Sequence, residues 1–490
     1  MIGRLKGTEM KTEANIKENF IFNTIYQLFT LITPFITAPY TARVLGVEGI
    51  GLQSFVGSIS SYFVLLAALG TAAYGQREIA RCKDDPEGRT KTFWEIVLVK
   101  AIMTGIALAV WFVVIVCSKE YTIYYIVSTI TIVASFFDVS WFFSGNEDFK
   151  TIVIRNLIIR IIGIVCLFTF IKGEKDLALY IAILALSTFL GNISMWFGLR
   201  RYLCKVKIHD FELQQHFKET LVYFVPTIAV SVYTILDKTM LGFLTDGTYE
   251  NGYYEQAHKL VDMAKAIVIS LNTVMYSRMS YLFKKGQTSE MRERLNQSID
   301  LIFLLAMPMI MGVVGVAKTL VPCFFGEGYD KVVNLLYFCM PLVLVIGLSN
   351  CLGQQYLTPS GQRKKSNKAV IIGAVINFCL NALLIPKFGS YGAAAASLTA
   401  EAAILCIYIE MSVSQLKTRL LIKNNLKRVL AAVVMFIIVK AMNQMPVHEV
   451  SRLVCQIVVG VVSYVGLLIL TRDQLVIDAL REATAKRERA

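Results

Sequence analysis

The sequence is poor in charged residues and in histidine. Charged residues occupy 17% of the 490 positions, and the chain contains only four histidines. Soluble globular domains carry about 25% charged residues, so this composition excludes the ordinary soluble class. Hydrophobic residues reach 56%, and the mean hydropathy is +0.58. The composition therefore indicates a polytopic membrane protein.

Clustered metal ligands are also missing. The ten cysteines are scattered between Cys82 and Cys455, with no CxxC pair and no neighbouring histidine. Because most lie in apolar stretches, we interpret them as small buried hydrophobic residues rather than metal ligands or disulfide partners. His209 and His216 fall in a predicted inner loop and His448 in an outer one. We predict neither a metal site nor a cofactor.

The sequence lacks a nucleotide-binding loop and a large extramembrane region. Residues 312–319 are only superficially similar to a Walker A loop, because Ala317 stands where that motif needs a glycine. The connections between apolar stretches are short and leave no room for the catalytic site of a polymerase or glycosyltransferase. We therefore predict no ATPase activity and no enzyme. Residues 1–19 are polar and charged, so no cleavable signal peptide is expected.

What the chain does contain is a series of apolar stretches, each long enough for the roughly 20 residues that cross a bilayer. Fourteen such spans are predicted, with edges at about 18–40, 50–76, 92–117, 121–143, 151–171, 177–199, 219–244, 254–280, 298–321, 331–357, 367–385, 390–413, 428–445 and 450–471.

These spans predict an all-α fold with two pseudo-symmetric six-helix lobes around a central cavity. The lobes comprise residues 1–210 and 211–416, and two additional spans with a cytoplasmic tail occupy residues 417–490. An internal repeat supports this division, because Arg43-Val-Leu-Gly46 after span 1 is paralleled by Lys238-Thr-Met-Leu-Gly242 at the end of span 7. Similarly, the pair Ser144-Gly145 follows span 4 and Ser360-Gly361 follows span 10. Both halves begin on the same side of the membrane, as parallel repeats do.

Lysine and arginine are distributed unevenly among the connections. If the N-terminus is cytoplasmic, 35 of the 49 basic residues lie in inner segments and nine lie outside. The positive-inside rule therefore places both termini in the cytoplasm. The net charge of +14 follows from this topology and does not indicate a nucleic-acid partner.

The predicted span at residues 254–280 carries charge along one side. At 100° per residue, one face of this helix holds Glu255, His258, Lys259, Asp262 and Lys265, here called the polar stripe. The opposite face holds the apolar residues Leu260, Ala264, Ile267 and Val268. Because charges are costly in hydrocarbon, the stripe is expected to face protein or a wet cavity. The alternative is a helix that lies on the membrane surface.

Polar residues of span 1 are further cavity candidates. Asn19, Asn23 and Gln27 recur at helical spacing, and they either line a cavity or form hydrogen bonds between helices. Arg43, near the outer end of the same span, is either a cation of the substrate path or an anchor at the membrane interface.

Charged residues in other spans are candidates for a gate or an ion-coupling site. Asp237 and Lys238 lie near the outer end of span 7 and are expected close to the polar stripe, either as salt-bridge partners or as part of a head-group site. Asp138, Arg160 and Glu401 lie deeper in spans 4, 5 and 12. An unpaired carboxylate at such a depth is a candidate proton site, whereas Arg160 could instead neutralise either acid.

Several stretches resemble the O-antigen type polysaccharide flippases of the multidrug/oligosaccharidyl-lipid/polysaccharide exporter superfamily. They are FIFNTIYQLFTLITPFITAPYTARVLGVEGIG (20–51), GTAAYGQREIARCKDD (70–85), PCFFGEGYDK (322–331) and NCLGQQYLTPSGQRKKSNKA (350–369). The resemblance implies two V-arranged lobes, a cavity alternately open to each side and a bacterial cytoplasmic membrane. It also implies polyprenyl-diphosphate-linked oligosaccharide as cargo, whose diphosphate would meet the cavity lysines.

Two other transporter classes stay open at this point. One is an ion-coupled multidrug or cation antiporter of the same superfamily, and the other is a flippase of peptidoglycan lipid precursors. Carboxylates and aromatic residues in the cavity favour the antiporter, whereas lysine or arginine favours a lipid-diphosphate cargo. Expected partners are membrane lipids, the lipid-linked cargo and the polymerase or glycosyltransferase machinery of the same pathway.

Overall fold

The computed structural model describes residues 2–206, 211–478 and 481, without the side chains of residues 2–28, 31, 225–230, 232, 233, 271, 273, 274 and 277. Within these ranges the fold is helical and contains no strand, which confirms the all-α prediction. Contacts divide the chain into two compact units, residues 1–239 and 240–490, here called the N-terminal and C-terminal units.

Eight α-helices begin within the described part of the N-terminal unit: α1 (Ile2–Ala68), α2 (Thr71–Arg81), α3 (Pro86–Cys117), α4 (Thr122–Phe137), α5 (Ser140–Gly145), α6 (Phe149–Phe170), α7 (Leu177–Leu199) and α8 (Leu213–Leu244). The C-terminal unit contains α9 (Tyr249–Lys284), α10 (Thr288–Phe325), α11 (Asp330–Cys339), α12 (Leu342–Asn350), a π-helix (Cys351–Leu357), α13 (Arg363–Phe388), α14 (Ser390–Ser412), α15 (Thr418–Ala441) and α16 (Glu449–Leu470).

Ten helical segments of the described chain are long and apolar enough to cross a membrane, so the protein is a multi-pass membrane protein. The predicted count of fourteen is not confirmed. One segment, Ile32–Arg81, covers the end of predicted span 1 and all of span 2. Helices α8, α9 and α15 occupy predicted spans 7, 8 and 13, but each carries several charged side chains.

Local sequence explains where several helices begin and break. Helix α1 is interrupted at Gly46, whose φ of 68° lies in the left-handed region that glycine adopts without steric cost. This break coincides with the predicted boundary between spans 1 and 2. Helix α3 begins at Pro86, and the Asp85 side chain accepts hydrogen bonds from the next backbone N–H groups, a common arrangement at a helix start.

The helices of each unit pack around apolar cores. In the N-terminal unit, α4 packs against α7, α1 and α3, with Trp111 and Ile132 buried among them. In the C-terminal unit, α10 packs against α9, α15 and α16, and α13 packs against α14. Met435, Val439 and Tyr464 form part of the core that joins α15 and α16 to α10.

Two glycines allow α2 and α5 to cross closely. A Cβ atom at Gly75 of α2 would collide with the Trp141 ring, and one at Gly145 of α5 would lie 2.8 Å from Ile79 Cβ. Trp141 and Ile79 are both buried. The crossing therefore requires glycine on each helix. Gly75 lies at the end of predicted span 2, and Gly145 lies just after predicted span 4.

Two sequence interpretations are corrected by the structure. Cys339 and Cys351 are buried as expected, but five cysteines are exposed: Cys117, Cys379, Cys406 and Cys455 on apolar helices and Cys204 in the segment after α7. An apolar stretch in a membrane protein has a lipid-facing side, so apolar neighbours do not imply burial. His216 belongs to α8 rather than to a loop, because α8 begins six residues before the predicted span.

We expect Gly75→Val or Gly145→Val to lower stability in detergent by about 1–3 kcal/mol, because overpacking at a close helix crossing forces side chains and backbone apart. Thermal unfolding of the purified protein measures this loss. Gly105→Val is the matched control, since no atom lies within 4 Å of a Cβ at Gly105. Equal melting temperatures for all three variants would contradict the crossing.

Candidate functional site

Span 4 is broken in the interior of the N-terminal unit, at one of the predicted ion-coupling residues. Helix α4 ends at Phe137 and α5 begins at Ser140, so Asp138 and Val139 are not helical. The Asp138 carboxylate accepts a hydrogen bond from the Ser140 N–H at 3.0 Å. The Asp138 side chain thus binds the first N–H of the short helix that follows the break.

Side chains from neighbouring helices satisfy the carbonyl groups near the break. Lys100 of α3 donates to the Asp138 carbonyl at 2.7 Å, and Trp196 of α7 donates to the Phe137 carbonyl at 2.9 Å. Lys100 is only 2% exposed. The candidate residues chosen from the sequence did not include Lys100. The signal was its position in an apolar stretch, where a charged residue needs a specific partner.

A buried polar chain joins α8 to α2 and α3 at the predicted inner end of this unit. Tyr74 Oη lies 2.7 Å from His216 Nδ1, and His216 Nε2 lies 2.9 Å from Glu95 Oε2. The other Glu95 oxygen accepts from the Glu212 N–H at 2.7 Å. Glu95 and Tyr74 are both 2% exposed, so this chain fixes the beginning of α8 on the N-terminal unit.

The other candidates of the N-terminal unit occupy different places. Arg160 of α6 donates to Thr30 Oγ1 of α1 at 3.0 Å, and Arg43 is exposed on α1. Asp237 is buried and Lys238 half-buried near the C-terminal end of α8. The side chains of Asn19, Asn23 and Gln27 lie outside the described residues.

Hydrogen bonds of Thr239 attach the C-terminal part of α8 to α1. Its hydroxyl donates to Ser58 Oγ at 2.9 Å and to Tyr62 Oη at 3.2 Å. Ser58 and Tyr62 belong to the part of α1 that follows Gly46. Thr239 directly follows Asp237 and Lys238 in the sequence. Its hydrogen bonds to α1 therefore fix the position of these two residues relative to α1.

The polar stripe lies on α9 in the C-terminal unit. Leu260, Ala264 and Val268 are buried on the opposite face, whereas Ile267 is exposed, because it lies at the edge of that face. Within the stripe, Lys265 Nζ lies 2.6 Å from Asp262 Oδ1, with 25% and 58% of the side chains exposed.

The rest of the stripe is half-buried. Glu255, His258 and Lys259 are all of intermediate exposure, and the His258 ring packs at 4.2 Å between centroids against the Tyr254 ring. The stripe as a whole is thus more accessible than the apolar face of the same helix. Glu401, the acid predicted in span 12, is half-buried on α14.

Two buried amide networks in the same unit were not predicted. Gln355, in the π-helix, donates to Asn272 Oδ1 of α9 at 2.9 Å, and Asn272 donates to the Gly347 carbonyl at 3.2 Å. On α13, Asn381 donates to Asn377 at 3.1 Å, and Asn377 donates to Ser397 of α14 at 3.3 Å. Neutral side chains give no charge signal in a sequence, so only their position inside apolar stretches could have indicated them.

An apolar cleft of about 540 Å³ opens between α10, α15 and α16. Its walls include Pro308, Val316, Met435 and Val461, and Gln456 and Tyr464 are its polar lining residues. Gln456 and Tyr464 both donate hydrogen bonds to backbone carbonyl groups, those of Val439 and Leu304. The cleft therefore offers a surface suited to hydrocarbon.

Ion pairs join helices within the C-terminal unit. On the predicted inner side, Arg428 is 2% exposed and pairs with Asp300 and Asp473, each at 2.9 Å. On the predicted outer side, Glu250 pairs with Lys331 at 2.5 Å and accepts from the N–H of Ser390 at 2.7 Å. Burial raises the pKa of Glu250, but the hydrogen bonds from Lys331 and Ser390 outweigh it, so the pKa lies below the usual value.

The profile of the polysaccharide biosynthesis protein family matches residues 16–283, and that of lipid II flippase MurJ matches residues 151–459. The chain belongs to the polysaccharide biosynthesis protein family. A relative from Shigella dysenteriae, whose name designates it an O-antigen transporter, is 24% identical over 399 residues, which are 81% of this chain and 99% of the relative. An Escherichia coli (strain K12) relative with the same name is 22% identical over 417 residues, 81% of this chain and 96% of the relative.

Solved structures show the fold of this family member. Lipid II flippase MurJ in an inward closed conformation superposes with a TM-score of 0.74 at 17% identity, covering 93% of this chain and 100% of MurJ. An inward-facing multidrug resistance MATE transporter gives a TM-score of 0.62 at 14% identity, covering 80% of this chain and 96% of that one. The family matches confirm the predicted polysaccharide flippase family and the prediction of a membrane transporter rather than an enzyme.

We expect Glu250→Gln to lower the melting temperature at pH 7, because it removes charge-assisted hydrogen bonds that contribute about 1.5–3 kcal/mol. The folded pKa of Glu250 is depressed, so its stabilisation is present above the unfolded pKa of about 4.3 and is lost as pH falls through the folded pKa. Thermal unfolding from pH 7 to pH 3.5 should therefore show the difference from the native protein shrinking below about pH 4. Glu327→Gln, at an exposed position, is the control, and a difference independent of pH would contradict the proposed cause.

Proposed function

We propose that this protein moves polyprenyl-diphosphate-linked oligosaccharides across the bacterial cytoplasmic membrane by alternating access, for the synthesis of a surface polysaccharide such as O-antigen, capsule or exopolysaccharide. The observation that carries the proposal is the polar stripe, a row of charged and partly exposed side chains along a helix in the midst of a membrane protein. The relatives named as O-antigen transporters support the same cargo class. Both termini are proposed to be cytoplasmic.

Lysine side chains of the stripe suit an anionic head group. Lys259 and Lys265 are compact cations that bind phosphate oxygens without requiring a fixed orientation. Lys265 is already paired with Asp262, so cargo would exchange one anionic partner for another. Lys238, Arg43 and the span 1 residues Asn19, Asn23 and Gln27 are proposed as further contacts for the cargo.

The remaining charged candidates are proposed to act as a gate or in ion coupling. They are Asp138, Arg160, Asp237, Glu255, His258, Asp262 and Glu401. A carboxylate that releases a lysine when cargo leaves would reset the site, and a half-buried acid such as Glu401 is suited to exchanging a proton. The polymerase or glycosyltransferases of the pathway are proposed as its functional partners.

The apolar cleft suits the other end of such a cargo. A polyprenyl chain gains about 25 cal/mol for each Å² of apolar surface removed from water, but inside a bilayer it gains nothing by leaving lipid. A cleft in the protein therefore acts by guiding the chain through shape complementarity while the head group crosses. The walls around Val316, Met435 and Val461 are apolar and face this space.

An ion-coupled drug antiporter is the second candidate. It is supported by the fold shared with a multidrug resistance MATE transporter and by the three acidic or titratable members of the stripe, Glu255, His258 and Asp262. Cargo charge separates the two functions. An organic cation would depend on the acids and would be repelled by Lys259 and Lys265, whereas a lipid diphosphate would depend on these lysines.

We expect Lys238→Gln combined with Lys259→Gln and Lys265→Gln to reduce surface polysaccharide by about tenfold or more, because each charge-assisted contact contributes about 1.5–3 kcal/mol. Complementation of a strain that lacks its own polysaccharide flippase measures the product, and an immunoblot measures protein in the membrane. Lys364→Gln with Lys365→Gln and Lys368→Gln is the control, since these are exposed on the first turns of α13. Full complementation by the first triple variant would remove these lysines from the mechanism.

We expect Val461→Trp to reduce export several-fold, because the indole would occupy the cleft that lies between α10 and α16. Val462→Trp is the matched control, since Val462 is also exposed but does not line the cleft. The same complementation assay compares the two variants at equal membrane levels. Equal export by both would show that the cleft does not guide the cargo.

A further inference from the structure

A second apolar pocket, of about 230 Å³, lies in the C-terminal unit between α10, α12, the π-helix, α14 and α15. Its lining side chains are apolar apart from Thr418 and Asn425. Asn425 is committed to a neighbouring cluster, because it donates to Asp300 at 3.0 Å and accepts from Arg428 at 2.8 Å. The pocket therefore offers hydrocarbon contacts along its length, and none of its lining side chains is charged.

Basic residues border one end of this pocket. Lys417 lies between Leu416 and Thr418, which both line the pocket, and Arg419 follows directly. The Lys417 N–H donates to Asn296 of α10 at 2.8 Å, which fixes this turn on α10. Arg292 of the same helix donates to the Gln415 carbonyl at 3.2 Å. Arg292 of α10, Lys417 of the turn and Arg419 of α15 thus all lie at or beside the segment that leads from α14 into α15.

Acidic residues do not cancel this charge. The sequence contains neither aspartate nor glutamate from residue 411 to residue 448. Beside the lining residues Ile299 and Ile409, Asp300 is paired with Arg428, whereas Glu410 is exposed. Lys423 and Lys427 lie on another side of α15, roughly 130–170° away from the pocket-lining residues at 100° per residue. The local excess is therefore positive and is carried by Arg292, Lys417 and Arg419.

We propose that this pocket binds one anionic phospholipid of the inner leaflet, with an acyl chain among Phe303, Leu352 and Leu421 and its phosphate against Lys417 and Arg419. The predicted topology places this end of α15 on the cytoplasmic side, where basic residues next to a membrane helix attract anionic head groups. Leu352 belongs to the π-helix, so the bound chain touches an irregular helical segment of this unit. The site is separate from the polar stripe and from the apolar cleft.

Lipid titration of the delipidated full-length protein, followed by native mass spectrometry, tests the proposal. We expect phosphatidylglycerol to bind more tightly than phosphatidylcholine at one saturable site. Lys417→Gln with Arg419→Gln should weaken phosphatidylglycerol binding about 30-fold, since each cation near the surface contributes about 1 kcal/mol and 1.4 kcal/mol corresponds to tenfold. Lys423→Gln with Lys427→Gln is the control with the same loss of charge. Equal binding by the two double variants would overturn the site.

A pocket-filling variant tests the acyl chain separately from the head group. Leu421→Trp should remove the saturable site, whereas Leu420→Trp should retain it, because Leu420 is exposed on the opposite side of α15. Unfolding temperatures measured without lipid show whether each variant is folded. If folded Leu421→Trp protein still binds phosphatidylglycerol as the native protein does, the pocket does not hold the chain.

A competition experiment distinguishes lipid from cargo. Undecaprenyl diphosphate is added at increasing concentration to protein with bound phosphatidylglycerol. Retention of phosphatidylglycerol supports a lipid site, and displacement that depends on Lys417 and Arg419 would reassign the pocket to the cargo. Because the readout is lipid binding, loss of this site leaves the proposed flippase function standing, and loss of that function leaves this result unchanged.

Discussion

Hydrocarbon offers no hydrogen bond, so every polar group within a membrane-spanning segment must find its partner inside the protein. The break in span 4 shows how this requirement shapes the N-terminal unit. Interrupting a helix frees carbonyl groups, and here Lys100 and Trp196 supply the missing donors from two neighbouring helices. The break therefore depends on the donors of Lys100 and Trp196, and the buried Lys100 ammonium in turn depends on the carbonyl group that the break frees.

The C-terminal unit meets the same requirement with neutral groups. Its π-helix places Gln355 against Asn272, and π-helical turns are energetically poorer than α-helical ones unless a specific contact compensates. The two irregular segments occupy corresponding places in the sequence repeat. The first is followed by Ser144-Gly145, and the second is followed by Ser360-Gly361. In both halves of the predicted repeat, an irregular helical segment precedes the Ser-Gly pair, and the stabilising chemistry differs between the two.

Periodicity predicted the features that depend on neighbours along the chain. The apolar and polar faces of α9 and the break at Gly46 follow from local spacing and backbone conformation. Features that depend on distant partners could not be predicted. Glu95 and His216 are 121 positions apart, and Asp300, Arg428 and Asp473 meet from three separate regions. Sequence spacing gives no information about such pairs.

The strength of the ion pairs varies with their position, and this variation bears on how a transporter can move. Arg428 is buried between two carboxylates, and removing one partner of such a cluster costs about 3–5 kcal/mol. The pair of Lys265 with Asp262 is partly exposed, and pairs of that kind contribute about 0–1 kcal/mol. The contact of α15 with α10 is thus strong, whereas the pair in the middle of α9 is weak. An exchange of ionic partners during transport costs little at the stripe and much at Arg428, which favours the stripe as the place where cargo replaces an internal contact.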